Sequence, residues 1–380
     1  MEIPTYREEP FPWYREMRQK NPILYDSGSA YIFTYDLTKQ VLEDFKNYSS
    51  QFRDFIEPEI AETLNQHSAP SILILDPPRH TKLRNLVSRA FTPSKVSSYE
   101  NEIRRIAEAL AGKMEAQKTA EMVSAFSYPL PVLVISRILG VPEEDMHLFK
   151  DWSDRIATSL GRGVDVTTQL EMAKYFSSLI EDRKKRPADD LISGLLEAEV
   201  DGDKLTLQEI VGFCILLLVA GNETTTNLIT NSLLTLHEYG LLDEIRDHPS
   251  LIPGAVEETL RFRSPVQSTR RIAKTDMEIA GIRIPKHTLL FVYLGSANRD
   301  ESVFPDSEKF IITRSQNRHL AFGEGVHFCL GAPLARLEAR IALETICRMF
   351  ETIVIRQPSA DDRLDSDIMY GFKRLEAVIR

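Results

Sequence analysis

Apolar residues recur every three or four positions along most of the chain, the spacing of helices that bury one face. Two regions depart from it. From Ile23 to Tyr35, around an Asp26-Ser27-Gly28-Ser29 turn, and from Met277 to Leu294, where β-branched and aromatic residues flank Gly281 and Pro285, the pattern reads as strands. The longest helix is predicted to start at Thr206, whose spacing to Glu209 makes a capping box, and to stop near Gly240. About 33 residues at ~1.5 Å each span on the order of 50 Å, so this is a central helix and not a surface one. Its middle, Ala220-Gly221-Asn222-Glu223-Thr224-Thr225-Thr226, gathers poor helix formers, and threonine can bond a carbonyl one turn back and bend the backbone. A local opening is expected there; taken alone, a kinked core helix with satisfied hydroxyls explains the segment equally well.

No Gly/Ser linker, Pro-rich tract, charge block or repeat divides the 380 residues, which predicts a single domain over 1–380. A hydrophobic share of 43% and a charged share of 27% suit a globular protein with a sizeable core. Three cysteines cannot build a disulfide framework and no Cys-x-x-Cys pair suggests zinc, which fits a reducing cytoplasm. Met1 to Lys20 lacks a signal-peptide apolar stretch, and the longest apolar run, Phe213 to Ala220, is too short to cross a bilayer, so no membrane is expected. A formal net charge of −10 and a pI near 5.5 argue against nucleic acid, whose phosphates need a basic footprint. One stretch runs against the charge. From Pro77 to Tyr99 there is no Asp or Glu, while Arg79, Lys82, Arg84, Arg89 and Lys95 fall there; a solvated helix face accounts for such a run as readily as a docking surface.

The chemistry concentrates in Phe322-Gly323-Glu324-Gly325-Val326-His327-Phe328-Cys329-Leu330-Gly331, one cysteine in a glycine-rich loop just before a helical stretch, Ala332 to Phe350. Unpaired N–H groups at a helix start carry partial positive charge and stabilise an anionic sulfur. Gly323, Gly325 and Gly331 remove side chains that would keep a flat ligand off the loop. A buried structural cysteine is the bland alternative, but three glycines and a histidine around one thiol exceed what a turn needs. Cys214 and Cys347 sit in helical apolar runs and are read as core.

This loop resembles the haem-ligand loop of the cytochrome P-450 monooxygenases, agreeing at Phe322, Gly323, Gly325, His327, Cys329 and Gly331. The resemblance runs over nearly the whole chain, through Phe11-Pro12-Trp13-Tyr14, Leu130-Pro131-Val132 and Ala297-Asn298-Arg299-Asp300 to the C-terminal strands. It implies a mainly α fold with small antiparallel β-sheets, haem lying between the long central helix and the cysteine loop, and Cys329 as ligand of the haem iron. It also implies that Glu223 is the acid and Thr224 the alcohol that manage protons at bound dioxygen, with Glu standing where many members carry Asp. Glu258-Thr259-Leu260-Arg261 matches the family's Glu-x-x-Arg motif, and Arg314 matches its third member. These three are implied to be structural and to hold the cysteine loop, although Ile311 stands where many members have Asp. His80 and Arg84, one turn apart after Asp76-Pro77-Pro78, resemble the family's propionate motif, which Thr269, Arg271 and His327 complete. Arg271 is preferred to Arg270 by its offset from Pro265.

The resulting reading is a haem-thiolate monooxygenase with haem b as cofactor and O2 as co-substrate, inserting one oxygen atom into a C–H bond. By resemblance, the pocket draws on the segment 52–74, on Val219 and Ala220, on Val266 and Gln267, and on Ile368 and Met369. These residues are mainly apolar, which suits a fatty acid, steroid or terpenoid. An acidic ferredoxin or flavodoxin with its NAD(P)H reductase would supply electrons at the basic stretch. The rivals are a peroxide-driven oxygenase, which needs no donor, and a non-catalytic haem-thiolate gas or redox sensor, which has no need of the Glu223-Thr224 pair.

Overall fold

Four helices carry most of the residues of interest: α1 (Arg79–Ala90), α2 (Leu207–Glu238), α3 (Ile252–Phe262) and α4 (Ala332–Met349). The structure is a computed structural model that describes residues 9–51, 71–159 and 166–380. These fall into two compact units. One contains 9–50, 107–127 and 224–380, and the other the described parts of 51–106 and 128–223, so α2 begins in the second and ends in the first.

The first unit is built on a sheet of β1 (Ile23–Asp26), β2 (Ser29–Ile32), β3 (Tyr48–Ser49), β4 (Thr269–Ala273) and β5 (Leu289–Val292), in the order β1-β2-β5-β4-β3. Ser27 and Gly28 take φ of 50° and 81°, which closes the two-residue hairpin between β1 and β2 as the turn signal predicts. Alternation then sorts the faces. Ala30, Ile32, Leu290 and Val292 are fully buried in the core, while Tyr31 and Phe291 stack at 5.1 Å on the opposite face. The pairing of β2 with β5 is parallel, where antiparallel sheets were expected. Most of the chain separates these two strands, so no hairpin constrains their direction. A smaller antiparallel sheet joins Ile353–Ile355, Glu376–Ile379 and Thr119–Glu121.

The second unit is almost wholly helical. Phe149, Trp152, Tyr175 and Phe176 meet edge-on or tilted at its centre, with centroids 5.2–5.8 Å apart. Asp190 caps the helix Leu191–Glu197 by accepting the Ser193 N–H at 2.8 Å.

Helix α2 starts and stops where the sequence says it should. Thr206 Oγ1 accepts the Glu209 N–H at 3.2 Å and Glu209 Oε2 accepts the Thr206 N–H at 2.9 Å. At the other end Gly240 has φ 66°, and the Leu241 N–H reaches back to the Leu236 carbonyl at 2.8 Å. The expected local opening is absent: the helix is α-helical over all 32 residues. Glycine and threonine each cost about 1 kcal/mol or less in a helix, and every residue from Thr225 to Leu236 is buried, which outweighs that cost. Hydroxyls do fold back, Thr230 onto the Thr226 carbonyl and Thr235 onto that of Asn231, both at 2.7 Å, without breaking the helix. By length and a mean hydropathy of 1.3 over its most apolar window α2 could span a membrane, contrary to the reading from its uninterrupted apolar run. A core helix of a globular unit passes the same test, and the buried Asn227, Asn231 and Thr235 of its second half face protein.

Candidate active site

The cysteine loop hangs from its own backbone. The Cys329 N–H donates to the Phe322 carbonyl at 2.9 Å, and the Phe328 N–H to that of Gly325 at 3.1 Å. Gly325 has φ 70°, and a Cβ there would come within 2.8 Å of the Leu42 carbonyl oxygen, so conformation and crowding both demand glycine. The glycines therefore serve the loop's own path first; Gly331 is the one whose Cβ would stand near the sulfur, 3.9 Å from Sγ. Cys329 is half-buried, and α4 begins three residues later at Ala332. Cys214 and Cys347 are buried, with burial pushing both thiols up, Cys347 to about 11, so neither can act as a thiolate near neutral pH.

Ahead of the loop lies a buried carboxylate. Glu258 and Arg261 on α3 are both fully buried and joined by two bonds, Arg261 Nη2 to Oε1 at 2.7 Å and Nε to Oε2 at 2.9 Å. Arg314 Nε donates to the same carboxylate at 3.1 and 3.2 Å, Asn317 Nδ2 at 3.1 Å, and the Ile311 N–H at 2.9 Å. Ile311 contributes only its backbone, so the absence of Asp there leaves the cluster intact. Arg261 spends its remaining donors on the carbonyls of Asn298, Ser307 and Lys309 at 2.8–3.0 Å.

The other expected residues divide between the units. In the first, Thr269 and Arg271 share one face of β4, Arg271 donating to the Arg270 carbonyl at 2.8 Å. Arg270 lies on the other face, paired with Asp367 at 3.0 Å and stacked on Phe291. His327 is half-buried in the loop. The Gln267 N–H donates to the Ile368 carbonyl at 2.7 Å and Val266 bridges Met369, which brings those four positions together. Gln267 departs from its expected role as a pocket wall. Its side chain is 0% exposed, donates to the Ser264 carbonyl and packs on Gly295, leaving no surface for a ligand. Thr224 lies on α2, half-buried.

In the second unit His80 is 1% exposed and Arg84 half-buried, one turn apart on α1. Val219 and Ala220 are exposed although apolar, and burial pushes Glu223, three residues on, up to about 7. Residues 52–70 of the expected pocket segment lie outside the described residues. The basic stretch is largely neutralised within this unit. Lys82 pairs with Asp203 at 2.6 Å, Lys95 with Asp189 at 2.5 Å and Arg79 with Glu209 at 4.0 Å, acids that come from distant sequence.

Sequence reasoning also passed over Glu338. It sits on the apolar face of α4 at 3% exposure, its Oε2 has no hydrogen-bond partner among the described residues, and burial pushes it up to about 8. The signal was available: an acid placed between Leu334 and Ala342 in helical register.

Among the described residues no group of three His, Cys, Asp or Glu side chains is arranged to hold a metal ion. A metal bound at Cys329 would thus lack a full set of protein ligands and would have to bring donors of its own, as an iron porphyrin does; a single soft sulfur ligand fits such a group. A mostly helical chain presenting one half-buried cysteine on a glycine-rich loop before a helix has the features of the haem-thiolate class. The family model described as cytochrome P450 matches residues 245–376. The cytochrome P450 YjiB of Bacillus subtilis is 42% identical over 96% of this chain and 92% of its own. Among solved structures, CYP109E1 from Bacillus megaterium in complex with testosterone has a TM-score of 0.89 at 40% identity, covering 98% of this chain and 99% of that one. P450BioI in complex with an acyl carrier protein ligated to hexadec-9Z-enoic acid has a TM-score of 0.89 at 34% identity, covering 99% of both. The chain belongs to the cytochrome P450 family, monooxygenases that use haem iron and O2.

Two outcomes follow from the buried acids. Glu258→Ala strands two buried guanidinium groups and should cost about 3–5 kcal/mol, read as a large fall in the midpoint of chemical unfolding. An unchanged midpoint would remove Glu258 from its structural role. For Glu338 the folded protein holds a proton that the unfolded chain releases, from about 4.5 to about 8. Stability should therefore fall as pH rises through that window, by up to about 1.4 kcal/mol per pH unit, and level off above it. Glu338→Gln should lack this component, so across that window the stability of wild type should fall relative to that of the variant as pH rises. Parallel curves would show that Glu338 is ionised when folded.

Proposed function

We propose that this protein is a monooxygenase that inserts one oxygen atom of O2 into a C–H bond of a small apolar substrate. Its cofactor is haem b, held by Cys329 as the iron ligand. The observation that carries this reading is the half-buried Cys329 just before α4, the one cysteine of the three that is not buried. Thr269, Arg271 and His327, which share a unit with Cys329, are the donors for the haem carboxylates. When bound, the haem supplies oxygen activation driven by two electrons. The chain's own part is to bind, to exclude water and to handle protons. Glu223, pushed up to about 7, can both hold and release a proton near neutral pH, and the adjoining Thr224 hydroxyl can pass it on. A gas sensor has no use for such a pair.

Val266, Ile368 and Met369 are apolar walls, with Gln267 as their support. They suit a steroid, fatty acid or terpenoid. The testosterone complex of CYP109E1 and the fatty-acyl complex of P450BioI support substrates of that kind. The electron donor we assign is an acidic ferredoxin or flavodoxin with its NAD(P)H reductase, in the cytoplasm. Of the basic stretch, Arg89 is exposed without an ion-pair partner among the described residues, which makes it the residue of that stretch best suited to meet a donor.

Cys329→His tests the ligand. Its ferrous CO complex should lose the red-shifted Soret band of a thiolate-bound haem, even where haem is retained. Persistence of that band would assign the iron to another residue. Thr224→Ala tests the proton path. It should leave haem content unchanged while diverting electrons from product to peroxide, roughly tenfold or more in coupled turnover if a contact of about 1–3 kcal/mol is lost. Equal product per NAD(P)H consumed, measured beside peroxide release, would exclude the role.

A further inference from the structure

Glu257, the neighbour of the buried Glu258, grips two residues that flank the cysteine loop. Arg336 on α4 donates to it through both nitrogens of one fork edge, Nε to Oε1 at 2.6 Å and Nη2 to Oε2 at 2.9 Å. His319 Nε2 lies 3.1 Å from Oε2, and its Nδ1 accepts the Ala321 N–H at 3.3 Å, which fixes the proton on Nε2. Burial alone would raise Glu257, yet hydrogen bonds from His319 and Arg336 outweigh it and hold the carboxyl down at about 2. The same Arg336 guanidinium lies over the Phe322 ring, 4.6 Å from its centroid, and the His319 ring meets that ring at 6.0 Å. Phe322 in turn accepts the Cys329 N–H through its carbonyl at 2.9 Å.

The chain of contact therefore runs from a surface carboxylate through a planar cation to an aromatic ring, and from that residue's backbone to the cysteine. We propose that Arg336, held by Glu257 and His319, is a positioning residue for the Cys329 thiolate and acts through Phe322. The inference rests on the reading of Cys329 as the haem ligand. Only arginine can chelate a carboxylate with one edge and cover a ring with its face; lysine keeps the charge and loses both. A surface ion pair that served stability alone would leave the thiolate as it is.

The test uses the haem-loaded protein. Arg336→Ala, Arg336→Lys and Glu257→Gln are compared with wild type and with Arg340→Ala, which breaks an ordinary pair to Glu344 on the same helix. Haem content, the ferrous CO spectrum and the ferric–ferrous midpoint potential are measured. With haem content held, Arg336→Ala and Arg336→Lys should raise the unshifted fraction of the CO band several-fold. Glu257→Gln should do the same to a smaller extent, and the double variant Glu257→Gln/Arg336→Ala should be no worse than Arg336→Ala. Arg336→Ala should also move the potential negative, because it removes a cation and leaves the Glu257 charge beside the loop with only His319 as partner, whereas Arg340→Ala should match wild type in every readout. Spectra and potentials equal to wild type in the Arg336 and Glu257 variants, or full rescue by Arg336→Lys, would overturn the proposal alone. A wild type without the red-shifted CO band would overturn it together with the ligand assignment.

Discussion

A carboxylate cannot be taken wholly out of water unless charge and hydrogen bonds replace its hydration, and Glu258 is taken out completely. That requirement organises the region around the thiol. The carboxylate draws in Arg261 from its own helix, then Arg314, Asn317 and the Ile311 N–H from the segment that runs on into the cysteine loop. Arg261, buried as deeply, has donors left over and binds three carbonyls between Asn298 and Lys309. Gly254, one turn before Glu258, lets the Ile312 carbonyl approach so closely that a Cβ would fall 2.2 Å from it. The segment leading into the loop is thus hung from α3 by polar bonds and a close backbone contact.

The two halves of α2 show how burial, and not composition, decides what a helix does. Both halves mix apolar and polar residues. From Thr225 onward every residue to Leu236 is buried, and the hydroxyls and amides bond carbonyls close by. Before that point Ile215 to Leu217 are partly exposed and Val219 and Ala220 more so, although nothing polar recommends them to water. Glu223 and Thr224 follow these exposed apolar positions directly in the chain, where the helix passes from partly exposed to buried.

What could be read from the sequence was local. The capping box at Thr206, the Ser27-Gly28 hairpin, the stop at Gly240 and the cysteine loop each depend on residues within a few positions of one another, so their spacing carries the geometry. The Glu258, Arg261 and Arg314 cluster was legible only through the family pattern, because an i,i+3 pair alone reads as surface decoration. Contacts between distant segments were not legible. Nothing in Pro77 to Tyr99 announces that Asp203 and Asp189 will neutralise Lys82 and Lys95, and nothing around Val266 says that the next side chain will be consumed by Ser264 and Gly295. The parallel pairing of β2 with β5 failed for the same reason, since alternation within a strand is silent on its partner's direction.

The acids of this chain sort themselves by the company they keep. Glu257 and Glu258 have arginine partners; burial acts on Glu257 too, but its partners win and hold it at about 2, so it stays charged near neutral pH. Glu223 and Glu338 are also withdrawn from water, yet burial is the only cause acting on them, and it lifts them to about 7 and about 8. A carboxyl without a cation stays neutral near pH 7 and so can give up a proton, which a salt-bridged one cannot do. The partnered acids, Glu257 and Glu258, bond the segments that flank the cysteine loop. Glu223 lies beside the exposed apolar Val219 and Ala220 and an alcohol, whereas Glu338 is sealed within α4's buried face, so burial withdraws the two acids from water in different surroundings.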